Sequence, residues 1–251
     1  MVIVTGLILK GVLGYGMSES IASRLGLTAQ PQIHVASLTA SVGQGIALGV
    51  LGGFRALAAN FFWLRVQDRW EAKDIPGTLR HLHLTCMIDP RPLTFWLNGA
   101  RMIAYDLPAW RIAERIRDAR SAEIEARQIK LDQAHAALAW LREAERSHPR
   151  SPAIRIEQAN LYLNGLHDLE AAALGYRAAS ELAGAPFYAA RLHAELLRRL
   201  GRKREAYEWL VKIHPTLPPD NAAAACKVVL ARLRALEDEL AVPDEQRYRS
   251  P

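Results

Sequence analysis

His81, His83, Cys86 and Asp89 are the densest group of metal-ligating side chains in the sequence. Imidazole, thiolate and carboxylate together would suit zinc. On a helix, however, His81 and His83 point about 200° apart, so they cannot share one ion. Cys86 and Cys226 form no CxxC pair and read as small buried apolar residues. Glu123 and Glu125, the nearest thing to paired carboxylates, fall on different faces of a helix. The run GQGIALG at 43–49 grazes a dinucleotide-binding fingerprint, but no strand precedes it and no βαβ unit follows. No phosphate-binding P-loop, serine nucleophile elbow or HExxH helix occurs. RRLGRKRE at 198–205 gathers five basic residues without aromatic stacking partners, which describes a solvated helix end better than a nucleic-acid surface. These residues support no catalytic function, no cofactor, no metal and no nucleic-acid partner.

The elements that carry these residues are helical. Proline punctuates the chain, and the segments between are rich in Ala, Leu, Arg and Glu, all strong helix formers. Apolar residues recur at helical spacing, as in Leu138, Leu141 and Ala144, or Ile156, Ala159, Tyr162 and Leu163. The pattern predicts an all-α chain with helices at 36–73, 77–88, 93–106, 109–129, 131–147, 152–164, 168–182, 187–200, 203–213 and 220–241. Gly165 and Gly201 stand where helices should end in a left-handed residue, and Asp168 and Asp220 where N-caps should sit. A net charge of +6 is spread among acidic residues along these helices and reads as a mixed solvated face.

A repeat underlies the helices. Ala137, Ala171 and Ala206 are separated by 34 and 35 residues, and so are Ala144, Ala178 and Ile213. Ala159 to Ala194 and Tyr162 to Leu197 share the longer offset. Residues 152–186 carry the fullest unit, with Ala159 and Tyr162 in a first helix, Ala171 and Ala178 in a second, and a closing proline. Residues 187–215 repeat the plan, and TFWLNGARMIAYDL places Trp96, Ala100 and Ile103 at first-helix spacing. Over residues 60–215 the chain resembles the tetratricopeptide-repeat superfamily, whose unit is a helix–turn–helix of about 34 residues. His193 and Gln158 depart from it, standing where that family usually has leucine. The resemblance implies a helical-hairpin solenoid with Ala159, Ala171, Ala178, Ala194 and Ala206 at helix crossings, closed by PDNAAAACKVVLARLRALEDELAVP as a cap.

The beginning of the chain differs in kind. Most of the 16 glycines lie in the first 53 residues, and residues 36–54 run 19 positions without a charge. That length is about what crosses a hydrocarbon core. Ser41, Gly45, Gly49 and Gly53 recur every four residues, the spacing that lets two helices touch closely in lipid. A glycine-rich helix buried against the first repeat is the alternative. The division expected is therefore 1–58, an apolar anchoring segment, and 59–251, the helical-repeat domain. From about Gly43 to Leu107 the chain looks like bacterial membrane-anchored tetratricopeptide-like proteins, which implies an anchor joined to a scaffold.

The expected function is a protein-interaction scaffold tethered to a bacterial inner membrane. A structural subunit of a larger membrane assembly is the alternative. Arg55, Arg65, Arg69 and Lys73 follow the apolar run while only Arg24 precedes it closely, which orients the repeats to the cytoplasm. A protein free in the cytoplasm is the second location. Signature spacing projects Arg101, Asn160, Arg191, Glu195 and Arg198 into the partner-binding groove.

Overall fold

The computed structural model describes residues 44–115 and 122–250, and the described residues form helices and turns without a strand. Ser41 and the start of the 36–54 run lie outside the described residues. The chain separates into two compact units, Met1–Asp89 and Pro90–Pro251. The boundary expected at residue 58 falls within the first described helix.

The first unit is a hairpin of α1 (Gln44–Glu71) and α2 (Ile75–Ile88). α1 continues through Gly52 and Gly53 without a break. The turn uses Lys73 at φ 56° and the Asp74 side chain, which accepts a 2.9 Å hydrogen bond from the Gly77 amide. A Cβ at Gly77 would come within 2.2 Å of Asp74 Oδ2, so this cap requires glycine. Ala59 and Val66 of α1 are buried, as are Leu82, Thr85 and Cys86 of α2. Among the described residues no helix is long and apolar enough to cross a membrane.

In the second unit, α3 (Leu93–Arg101) and α4 (Leu107–Arg115) form one helix joined by a π turn over Met102–Asp106. The break expected before Pro108 does not occur. Proline lacks an N–H and crowds the carbonyl four residues back. The wider turn relieves this, with the Leu107 amide bonding the Met102 carbonyl five residues earlier. α5 (Ala122–Ser147) then runs straight through residue 130, where two helices were expected. Trp96 and Trp140 lock α3 to α5: their rings lie 4.8 Å apart, and the Trp140 indole donates to the Trp96 carbonyl at 2.9 Å. Gly99 leaves room for that ring, since a Cβ there would meet Trp140 at 2.9 Å.

Next come α6 (Pro152–Asn160), extended by a second π turn over Leu161–Gly165, and α7 (Leu169–Ser180). α8 (Phe187–Arg199), α9 (Lys203–Ile213) and α10 (Cys226–Glu239) complete the unit. Each helix packs chiefly on its neighbours in the chain. Asp168 caps α7 as expected, accepting from the Ala171 amide at 2.9 Å. Gly201 is left-handed at φ 78°. Gly165 is not left-handed. His167 takes that conformation at φ 56°, and Gly165 instead admits Ala134, whose Cβ would lie 2.9 Å from an added one. Asp220 caps nothing: Asn221 caps a 3₁₀ turn at Ala222–Ala224, and α10 starts after left-handed Ala225.

The buried residues preserve the 34–35 spacing but correct its middle member. Ala137, Ala172 and Ala206 are fully buried, and Leu141, Tyr176 and Leu210 nearly so. Ala159 and Ala194 are buried as expected, whereas Ala171 is half-buried and Ala178 exposed. Because 34 plus 35 equals 35 plus 34, sequence spacing fits residue 171 or 172 equally well. Tyr176 decides it, since its large ring goes inward and carries Ala172 and Ala179 with it.

Candidate functional site

Three helices, α3, α6 and α8, share one register of buried residues. Ala100, Ala159 and Ala194 are buried, and so are Met102, Leu161 and Leu196 two positions further on. The residue between is Arg101, Asn160 or Glu195: a cation, an amide and an anion.

Around the first two, a connected polar network forms. Arg101 donates twice to the buried Glu157 carboxylate, Nε to Oε1 at 3.2 Å and Nη2 to Oε2 at 3.1 Å. The Asn160 amide donates to Glu157 Oε2 at 3.4 Å, and the Tyr176 hydroxyl donates to Asn160 Oδ1 at 2.5 Å. Fork-to-carboxylate pairing fixes the guanidinium in orientation as well as in charge. Burial, followed by the charges of Tyr188 and Glu157, pushes the Tyr176 phenol up to about 12. Burial and Glu157 also raise Tyr105, against the lowering effect of Arg101. Tyr105 and Tyr188 nevertheless keep 44% and 43% of their surface, so two tyrosines stand open to solvent within the field of a fixed Arg–Glu pair.

Glu195 lies in a second network. Arg198 bonds it through Nε at 3.0 Å and Nη2 at 2.8 Å, and Arg199 Nε reaches it at 3.2 Å. Arg198 above all, against partial burial, holds the Glu195 carboxyl down at about 2. Arg191 turns elsewhere, donating to the Ala223 and Ala224 carbonyls at 3.0 Å each. It ties α8 to the 3₁₀ turn while lining, with Tyr188, Val228 and Arg232, a concavity of about 400 Å³.

The five projected groove residues therefore fall into two groups: Arg101 with Asn160, and Glu195 with Arg198 and with Arg191, which lines the same concavity as Glu195. Spacing missed Glu157, Tyr105, Tyr188 and Arg232. Glu157 was within reach, since it lies three residues before Asn160 and so on the same helix face.

The departures from leucine are satisfied internally. Buried Gln158 donates to Glu145 Oε1 at 3.0 Å. His193 Nδ1 lies 2.8 Å from the Ala173 carbonyl, with its ring edge-on to Trp209 at 4.8 Å. Among the described residues no cluster of three or more His, Cys, Asp or Glu could hold a metal ion. In the glycine series, Gly45 and Gly49 lie in α1 beside Gly53, and a Cβ at exposed Gly53 would meet nothing within 4 Å.

Compared with models of known protein families, the chain matches none, and it matches no curated protein.

Proposed function

We propose that the chain is a protein-interaction scaffold, a tetratricopeptide-like stack of helix pairs whose first-helix face holds a partner polypeptide. The observation that carries this reading is the repeated register of Arg101, Asn160 and Glu195, each beside a buried alanine. Repetition of polar positions, exposed at Arg101 and partly buried at Asn160 and Glu195, beside a repeated core is in keeping with the way helical-repeat proteins build an extended binding surface. Tyr105 and Tyr188 add aromatic contact area that loses little side-chain entropy on binding. In this reading residues 36–54 tether the scaffold to a bacterial inner membrane, with the repeats in the cytoplasm.

Photo-crosslinkable residues at positions 105 and 188, followed by affinity capture from membrane and soluble fractions, test the scaffold. Crosslinks to the same partner from both positions are expected, competed by a peptide of that partner. Crosslinks from neither position, with the fold intact, would remove this surface as the docking site.

The alternative, a packed subunit of a membrane assembly, draws on Leu57, Leu64 and Met87 of the first unit, exposed at 62%, 62% and 72%. Large apolar side chains so exposed are suited to cover by another protein. That reading expects a detergent-stable complex that peptide does not compete away.

A further inference from the structure

Both π turns of the described residues open onto one concavity of about 640 Å³. The first turn contributes Tyr105, the second Asn164 and Gly165, and α5 closes the third side with Arg127 and Lys130. The first of these turns accommodates Pro108, and π turns within α-helices are frequent at functional sites. Next to the second turn, His167 lines the same space in the left-handed conformation, φ 56°, which is sparsely populated by residues other than glycine. Among the described residues, Arg127, Lys130, Asn164 and His167 make no hydrogen bond or ion pair with one another or with other side chains. Donors therefore line the concavity from a helix and from the second π turn without being engaged by another side chain, and Glu123, one turn before Arg127, is the one acid beside them.

From this convergence we propose that the concavity, which shares Tyr105 with the first-helix face, binds a small organic phosphate monoester. Arg127 and Lys130, against the single acid Glu123, leave the lining net positive, which suits the charge of about −1.5 to −2 that a phosphate monoester carries near neutrality. Donors arriving from separate elements suit a tetrahedral group better than a planar carboxylate, which takes its bonds in one plane. Bare phosphate would leave most of the space unfilled. The half-exposed Tyr105 ring, with Pro108 and Ala126, supplies an apolar wall for the body of the ester. A space of this size falls within the ordinary range of small-ligand sites, about 300–1,000 Å³. Glu123 is the one acid on the lining, and it favours a body that carries a hydrogen-bond donor.

The test is calorimetric titration of the full chain with phenyl phosphate, inorganic phosphate and succinate. Phenyl phosphate is expected to bind saturably and at least tenfold more tightly than either of the others. Arg127→Ala/Lys130→Ala should weaken it at least tenfold with an unchanged melting curve, since both side chains are exposed. Arg142→Ala, exposed and outside the lining, should change nothing. No saturable binding by phenyl phosphate would overturn the proposal. So would equal binding of succinate, or an affinity indifferent to the double variant. Sedimentation with phosphatidic-acid vesicles that the same double variant abolishes, without phenyl phosphate competing, would move the site from a small molecule to a lipid surface.

Discussion

At the scale of single residues, the buried polar groups divide by what they are bonded to. Glu157 and Glu195 are both carboxylates held by arginines, and Arg198 above all holds the Glu195 carboxyl well below its ordinary value. His193 is the opposite case: burial first, then Arg177 and Arg202, lower its pKa against the raising effect of the Ala173 carbonyl contact. The fold favours the neutral ring, so unfolding takes up a proton whenever the unfolded imidazole is charged. Its contribution to stability is complete above the ordinary histidine value of about 6.5 and falls as the pH drops below it. As the pH falls below about 6.5, wild-type protein should lose stability through this residue. His193→Leu, which removes the titrating ring, should flatten that part of the curve. Thermal midpoints of both proteins across the range check it. Parallel slopes would mean the ring charges in place without resistance.

At the scale of elements, most helices were legible because proline, caps and apolar spacing act over a few residues. Asp168, Gly201 and the starts at Pro152 and Phe187 are local matters, and the structure places them as the sequence implies. The failures lie where a neighbouring element decides. Pro108 reads as a breaker until a π turn accommodates it, and Gly165 reads as a helix end until Ala134 is packed against it. The network about Glu157 joins side chains 56 residues apart in Arg101 and Glu157, a pairing that no local spacing reports. Ala171 against Ala172 is the sharpest example, because one residue of slip rotates a helix by about 100° and changes its whole inner face. Leucine substitutions separate the two registers. Ala172→Leu and Ala179→Leu, at fully buried positions, should each destabilise by roughly 1–3 kcal/mol through overpacking. Ala178→Leu, at an exposed position, should fall within about 0.5 kcal/mol of wild type. Chemical denaturation of the three variants measures this, and equal losses at 178 and 179 would return the register to the one spacing suggests.

At the scale of the whole molecule, what matters in Pro90–Pro251 is how a chain of neighbour-to-neighbour contacts is brought to an end. The last core joins Ala194, Leu197, Ala206 and Leu210 to Leu217, Val229, Leu233 and Leu236. α10 therefore covers apolar surface that α8 and α9 would otherwise present to water. Its attachment is polar as well as apolar. Glu237, fully buried, accepts from the Tyr248 amide at 2.6 Å, the Arg234 guanidinium at 2.8 Å and the Tyr207 hydroxyl at 3.2 Å. Burial raises its pKa, but these donors outweigh it and leave the carboxyl below its ordinary value. The Tyr248 hydroxyl also lies 2.9 Å from His214 Nδ1, so the final segment is pinned to α10 and to the turn that follows α9. Two variants grade the loss. Glu237→Gln keeps the shape but removes the charge, and should cost roughly 1–3 kcal/mol because the bonds that remain no longer involve an anion. Truncation after Leu217 removes α10 and exposes the apolar face beneath it. The truncated chain should associate through that face while keeping helical circular dichroism, and light scattering beside the melting curve reads both effects. A truncated chain that stays monomeric and melts with the wild type would show that α10 adds nothing to the stack it closes.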